Sequence, residues 1–160
     1  MAIDHVRQYF KQYGLDLRIL EFDHSSATVS LAAEALHCDK ARIAKTLSLF
    51  VQEQPILIVT AGDQKIDNHK FKTLFHTKAK MIPSCLVEQY IGHTVGGVCP
   101  FAVKKNVTIY LDCSLKRFKT IFPACGSSNS AIELTLEELE QYANYKEWID
   151  VCKKIDPEAQ

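Results

Sequence analysis

Thr94-Val95-Gly96-Gly97-Val98-Cys99-Pro100-Phe101 is the stretch from which the rest of the chain is best read. Adjacent glycines reach backbone angles closed to other residues. Pro100 then fixes its own φ and lacks an N–H, which stiffens the exit. The result is a short rigid loop whose amides can face a ligand. Taken alone, the loop leaves two readings open: a tight turn joining a helix to a strand, or a cradle for the carbonyl, ribose or phosphate of a substrate.

The segments on either side are short and of mixed type. Before the loop, Pro83-Ser84 opens a helix, with Ser84 as N-cap, Leu86, Val87 and Tyr90 facing inward and Gly92 as the stop. After it, Val107–Leu111 reads as a strand and Leu115 to about Thr120 as a brief helix. Cys125-Gly126-Ser127-Ser128-Asn129-Ser130 is a second glycine-bearing polar loop, leading to a strand at Ala131–Leu134. Thr135-Leu136-Glu137-Glu138 is a capping box. It is expected to start a last helix through Leu139, Tyr142 and Trp148, extending to about residue 155.

Toward the N-terminus, Val6, Tyr9, Phe10 and Tyr13 mark an amphipathic helix over residues 2–13 that stops at Gly14. Leu17–Phe22 alternates like a strand, Asp23–Ser26 is a polar loop, and a short helix carrying Leu31, Ala32, Ala33, Ala35 and Leu36 starts near Thr28 or Ser30. Two apolar runs, Ile43–Val51 and Pro55–Ala61, flank Gln52-Glu53-Gln54 and predict a hairpin. Lys45 stands inside the first run, either turned to solvent or held in a cleft. Asp67 caps a helix through about Phe75, and Ala79–Ile82 forms a short strand. These elements predict one α/β (α+β) domain over residues 1–160, with a curled mixed sheet flanked by helices rather than a doubly wound parallel one.

Composition narrows the function. At 160 residues and 47% hydrophobic, the chain suffices for one full core. No apolar run approaches the roughly 20 residues of a membrane span, and the first residues lack the basic and apolar regions of a signal peptide, so a cytoplasmic location is expected. The six cysteines are dispersed without a C-x-x-C pair, and the six histidines form no H-x-x-x-H, so neither a metal site nor a redox pair is expected. Net charge is zero, yet Lys65, Lys70, Lys72, Lys78 and Lys80 crowd the middle. Such a group is either a solvated surface or a local phosphate-binding face.

Five features occur in order: Ala32-Ala33-Glu34-Ala35-Leu36, Ile43-Ala44-Lys45-Thr46-Leu47, Gly92-His93 followed by Gly96-Gly97-Val98-Cys99-Pro100-Phe101, Ala124 with Gly126-Ser127, and the capped last helix. The set resembles the YbaK / prolyl-tRNA-synthetase-associated editing domain family over about residues 2–142. The resemblance implies a small barrel-like mixed sheet surrounded by helices. It also implies a free-standing enzyme that hydrolyses the ester joining a wrong small amino acid, such as alanine or cysteine, to tRNA, with tRNA-Pro as the expected carrier.

Position by position, the resemblance makes Lys45 the functional lysine and Thr46 its neighbour in the pocket. Gly96, Gly97, Val98, Cys99 and Pro100 form the loop, Gly126, Ser127, Ser128 and Asn129 the far rim, and His24 the segment before the first alanine-rich helix. Two residues depart from the usual pattern: Cys99, where serine is common, and Cys38, where glycine is usual. The implied partners are the acceptor end of aminoacyl-tRNA and prolyl-tRNA synthetase. No cofactor is implied, and oligomeric state is left open.

The chemistry is coherent without the name. An aminoacyl ester is already activated, so hydrolysis needs positioning and oxyanion stabilisation more than a strong nucleophile. Amides around Gly97 are the expected donors to the carbonyl oxygen, and Lys45 a cation for phosphate or for developing negative charge. Cys99 with His93 six residues earlier offers a second, covalent route. Competing functions are a non-catalytic tRNA- or synthetase-binding module on the same fold, and a hydrolase of a different small ester.

Overall fold

The computed structural model describes residues 2–156. Val6 and Phe10 place two fully buried side chains on one stripe of helix α1 (Ala2–Lys11). The chain then passes a 3-10 turn at Asp16–Arg18 into strand β1 (Leu20–Glu21), so the alternating stretch from Leu17 yields only a short strand. Thr28 caps α2 (Val29–Leu36) by accepting the Leu31 N–H. Next come β2 (Ile43–Val51) and β3 (Gln54–Ala61), the expected hairpin. Its two-residue turn holds Gln52 and Glu53 at φ of 49° and 69°. Positive φ at both turn residues is what a tight hairpin matched to strand twist requires.

Strand β4 (Gln64–Ile66) leads to α3 (Asn68–Phe75), where the Asp67 carboxylate accepts the His69 and Lys70 amides. Strand β5 (Lys80–Met81) precedes α4 (Ser84–Ile91). Pro83 itself occupies the N-cap there, and Ser84 is the first helical residue, so the expected Ser84 cap is displaced by one. The chain continues through β6 (Thr108–Asp112), a 3-10 turn at Cys113–Arg117, and β7 (Thr120–Pro123). Then follow β8 (Ser130–Ala131), β9 (Leu134–Thr135), α5 (Leu136–Tyr142), β10 (Glu147–Ile149) and β11 (Cys152–Lys154).

The main sheet runs in the order β10-β6-β3-β2-β7-β9, with β5 also paired to β2, and it curls. Parallel pairs (β10 with β6, β3 with β6, β2 with β7) mix with antiparallel ones (β2 with β3, β2 with β5, β7 with β9). From Pro55 to Ala61 β3 is buried throughout. Its Leu57, Val59 and Ala61 join Val6, Phe10, Ile91, Phe101 and Leu111 in one core, and its Ile56 and Ile58 join Leu49, Phe71, Tyr110 and Val151 in a second core. The sheet is therefore covered on both faces, which explains the unbroken apolar run. Among the described residues, no helix is long and apolar enough to cross a membrane.

The last helix is much shorter than expected. The capping box forms, with Thr135 accepting the Glu138 amide and Glu138 accepting the Thr135 amide. The helix stops at Tyr142, however, and Asn144 turns left-handed at φ 50°. Lys146 N–H then donates to the Ile109 carbonyl at 2.7 Å, and residues 147–149 pair with the free edge of β6. Trp148 is thus a strand residue whose indole N–H donates to Glu140, and the region expected to be helical to about residue 155 holds β10 and β11. An open strand edge outweighed the helical spacing of Leu139, Tyr142 and Trp148.

Glu138 also takes a two-pronged bond from Arg18, which with the cap holds its carboxyl at about 2, below the usual 4.5. A depressed folded pKa stabilises above the unfolded value and is lost as pH falls through the folded one. Glu138→Gln should therefore lower stability at pH 7 and narrow the gap to wild type between pH 4.5 and 2, as read by urea unfolding at both ends.

Candidate functional site

Strand β2 is paired from Ala44 to Val51 with β3 on one edge, but its other edge is shared. β7 takes Ile43 and Ala44, β5 takes Leu49 and Phe50, and the Ser48 carbonyl accepts the Ile82 N–H at 3.0 Å. Residues 45–47 are left between the two, and there the sheet opens into a cavity of about 330 Å³. Lys45, Thr46, Leu47 and Ser48 form one wall. The start of α2 with Ser26–Val29, the start of α4 with Ser84 and Val87, the loop at Gly96 and Val98, and Ser130–Ala131 form the others.

Lys45 is half-buried and, among the described residues, makes no hydrogen bond or ion pair. Burial lowers its pKa below 10.5, opposed weakly by Cys152 and Asp63. Asp63 is itself committed to Arg117, at 2.6 and 3.0 Å. Thr46 is equally unusual, because its Oγ1 is buried and has no partner among the described residues. A buried hydroxyl without a hydrogen bond costs about 1–3 kcal/mol. Among the lining residues there is no carboxylate, imidazole or thiol; the polar groups are hydroxyls and one ammonium.

The glycine loop is held by backbone packing. A Cβ on Gly97 would stand 2.6 Å from Ser127 N and 2.7 Å from Gly126 C, so only glycine allows the two loops to touch. The Gly126 N–H donates to the Gly97 carbonyl at 3.0 Å. The Gly97 N–H, expected to serve a substrate carbonyl, donates instead to Thr94 O within a turn. Gly96, at φ 96°, and Val98 do line the cavity, and neither amide has a hydrogen-bond partner among the described residues.

Several other expected site residues serve the frame. Asn129 exchanges bonds with Phe22 in both directions, and Ser128 O accepts the Ser26 N–H. The Ser127 hydroxyl lies within hydrogen-bond distance of Asn129 Oδ1 and Ser130 Oγ. These bonds tie the 22–26 segment to the 126–130 loop; Gly126, Ser127, Ser128 and Asn129 stand behind the cavity wall that Ser130 and Ala131 form. His24 is exposed beside Phe22 and outside the cavity, and Pro100 is buried outside it.

Cys99 is a core residue, fully buried, 3.5 Å from His93 Nε2 and 3.7 Å from Phe101 O. Burial pushes its thiol up to about 12, and burial lowers the pKa of His93, whose Nε2 lies 2.7 Å from the same carbonyl. A neutral, enclosed thiol is no nucleophile, so the covalent Cys99–His93 route is removed. Ser26, Ser48, Ser84, Val87 and Ser130 line the cavity although the sequence marks none of them as a site residue. Ser48 alone had a local signal, its place two residues after Thr46 on the same strand face.

The family model of the aminoacyl-tRNA editing domain matches residues 23–142, and the chain belongs to that family. It is 51% identical over 154 residues to the "Uncharacterized protein YwhH" of Bacillus subtilis (strain 168), covering 96% of this chain and 98% of that protein. It is 31% identical over 124 residues to the "Putative Cys-tRNA(Pro)/Cys-tRNA(Cys) deacylase EbsC" of Enterococcus faecalis (strain ATCC 700802 / V583), covering 76% and 74%. A crystal structure described as "a putative trans-editing enzyme for prolyl tRNA synthetase" superposes with TM-score 0.84 at 21% identity, covering 95% of this chain and 97% of that one. That of the hypothetical protein APE2540 gives 0.82 at 26%, covering 93% and 99%.

Two stability outcomes follow from the site. Thr46→Val should raise unfolding stability by about 1 kcal/mol by removing the orphaned hydroxyl. Gly97→Ala should lower it by about 1–3 kcal/mol through overpacking against residue 127. Urea unfolding of the two variants beside wild type checks both.

Proposed function

We propose that the protein is a trans-editing hydrolase that removes a wrong small amino acid, such as alanine or cysteine, from tRNA-Pro. The observation that carries this is Lys45: a half-buried cation with no hydrogen-bond or ion-pair partner among the described residues, set where one edge of β2 is left open beside the cavity. A volume of about 330 Å³ lies at the low end of small-ligand pockets, about 300–1,000 Å³. It suits a small aminoacyl group better than a bulky one. The protein acts in the cytoplasm, where aminoacyl-tRNA is made, and prolyl-tRNA synthetase is its candidate partner.

In this mechanism the ester carbonyl oxygen takes hydrogen bonds from the free amides of Gly96 and Val98. Lys45 holds the phosphate of the terminal adenosine or the negative charge that develops on the carbonyl oxygen. The attacking group is water, or an oxygen or sulfur of the substrate itself, since the cavity wall offers no carboxylate, imidazole or thiol. As the new bond to the acyl carbon forms, the bond to the ribose oxygen breaks and that oxygen takes the proton the attacking group gives up, so water releases the free acid and a side-chain oxygen or sulfur releases a cyclic ester or thioester. Discrimination is steric, and one methylene is worth about 1–3 kcal/mol. Thr46 contributes by turning its hydroxyl toward a bound substrate, which gives that orphaned group a partner.

The test is deacylation of tRNAs charged with alanine, cysteine, serine, threonine and proline. Wild type is expected to hydrolyse one or two of these esters and Lys45→Ala none above background, with both proteins folded by circular dichroism. Retained turnover in Lys45→Ala defeats the role of the lysine. Binding of tRNA without ester loss in wild type favours the non-catalytic module. Turnover should also fall as pH rises through a value below 10.5, because a desolvated lysine loses its charge sooner than an exposed one. A pH–rate profile corrected for spontaneous hydrolysis reads that limb.

A further inference from the structure

The lysines of the middle of the chain do not form one face. Lys70 Nζ donates to Asp150 and to the Cys152 carbonyl, each at 3.0 Å. Lys65 stands opposite Lys153 on the separate β4–β11 ribbon. Lys78 and Lys80, by contrast, are exposed and make no hydrogen bond or ion pair among the described residues. With Phe50, Thr77 and Tyr90 they line an open cleft, whose one acidic lining group is Glu53 of the hairpin turn. The Phe50 and Tyr90 rings meet edge to face at 5.0 Å, and the Lys80 ammonium sits 5.9 Å from the Phe50 centroid. Aromatic faces beside free cations are the two elements with which proteins hold single-stranded nucleic acid.

Strand β5 joins this cleft to the cavity. Its register sets Lys80 opposite Phe50 and Met81 opposite Leu49, so the two side chains take opposite faces. Lys80 lines the cleft and Met81, 53% exposed, lines the cavity. Among the described residues β5 pairs with β2 alone, which leaves its outer edge free for a chain to cross. Phe50 also follows Thr46 by four residues on the same face of β2, a rise of about 13 Å. A short extended strand covers that distance.

We infer that the cleft binds the unpaired 3′ strand of the RNA whose aminoacylated end occupies the cavity, with bases against Phe50 and Tyr90 and phosphates at Lys78 and Lys80. The inference rests on the function proposed above. Glu53, the one acidic group of the lining, repels phosphates and so favours their seating at Lys78 and Lys80. Polarity along the chain then places the cleft before the cavity: the strand crosses β5 and delivers its last nucleotide to the wall that carries Lys45.

The test is fluorescence anisotropy with a labelled RNA hairpin bearing an unpaired 3′ extension, beside the same hairpin with a blunt end. Wild type is expected to bind the extended hairpin more tightly. Lys78→Gln/Lys80→Gln should weaken the extended hairpin about tenfold at low salt. It should also flatten the log-affinity against log-salt slope by about 1.4, at about 0.7 for each single-strand phosphate left without its lysine. Phe50→Leu should cost about tenfold with the slope unchanged, as loss of a stacking face does. Lys153→Gln, on the other ribbon, should leave the preference for the extension intact. Equal binding of the two hairpins by wild type, or an unchanged slope in the double lysine variant, overturns the inference. Ester hydrolysis is scored separately. Extension-specific binding abolished in the double variant, with no ester hydrolysed by wild type, keeps the cleft and rejects the deacylase; hydrolysis with an unaltered KM in the double variant rejects the cleft.

Discussion

The divided edge of β2 is the constraint on which the rest of the molecule depends. A central strand normally satisfies its backbone by pairing along both sides. Here β3 pairs one side from Ala44 to Val51, and two short strands from distant parts of the sequence pair the ends of the other. The interval between them gives the cavity its floor, exposes Lys45 to partial desolvation and strands the Thr46 hydroxyl. Continuous pairing on that edge would close the space and leave the lysine among apolar neighbours.

Keeping that interval open requires rigid surroundings, and the loops supply them through backbone contacts rather than side-chain bulk. The Gly97 carbonyl receives the Gly126 amide, the Ser128 carbonyl receives the Ser26 amide, and Phe22 and Asn129 bond reciprocally. Three segments far apart in sequence thus behave as one rim. Residues that resemble a polar binding surface in the sequence, Ser127 to Asn129, spend their polar atoms on this brace. The frame and the site are made of the same residue types, and only their partners tell them apart.

That distinction decides what was legible beforehand. The hairpin, the Asp67 and Thr135 caps, the Gly92 stop and the presence of Lys45 in a half-covered strand were readable, because each is a local choice of residue type. Position in space was not. Gly97 reads as a donor of amides but acts as a spacer, and Cys99 reads as a loop thiol but fills the core beside His93. The sequence around Trp148 has helical spacing, yet the residues that claim it, on β6, lie more than thirty positions earlier. Ser26, Ser84 and Ser130 meet at the cavity from a loop, a helix and a strand far apart in the chain, a juxtaposition no short window contains.

The sulfur inventory has a consequence for the handling of thiol-bearing esters. Cys99 and Cys125 are enclosed in the core, Cys152 is buried, and burial pushes each of the three thiols up, Cys99 and Cys152 to about 12. At neutral pH they are protonated and sterically withheld, and none of the six cysteines lines the cavity. A cysteinyl group entering the site would therefore meet hydroxyls, apolar side chains and one ammonium, with no thiolate to attack its ester carbonyl and take the acyl group as a thioester. Cys85, beside the cavity-lining Ser84, is the one cysteine among the described residues that is exposed, and it sits outside the chamber. An acyl group held there has no thiol of the wall to be transferred to, whatever its side chain.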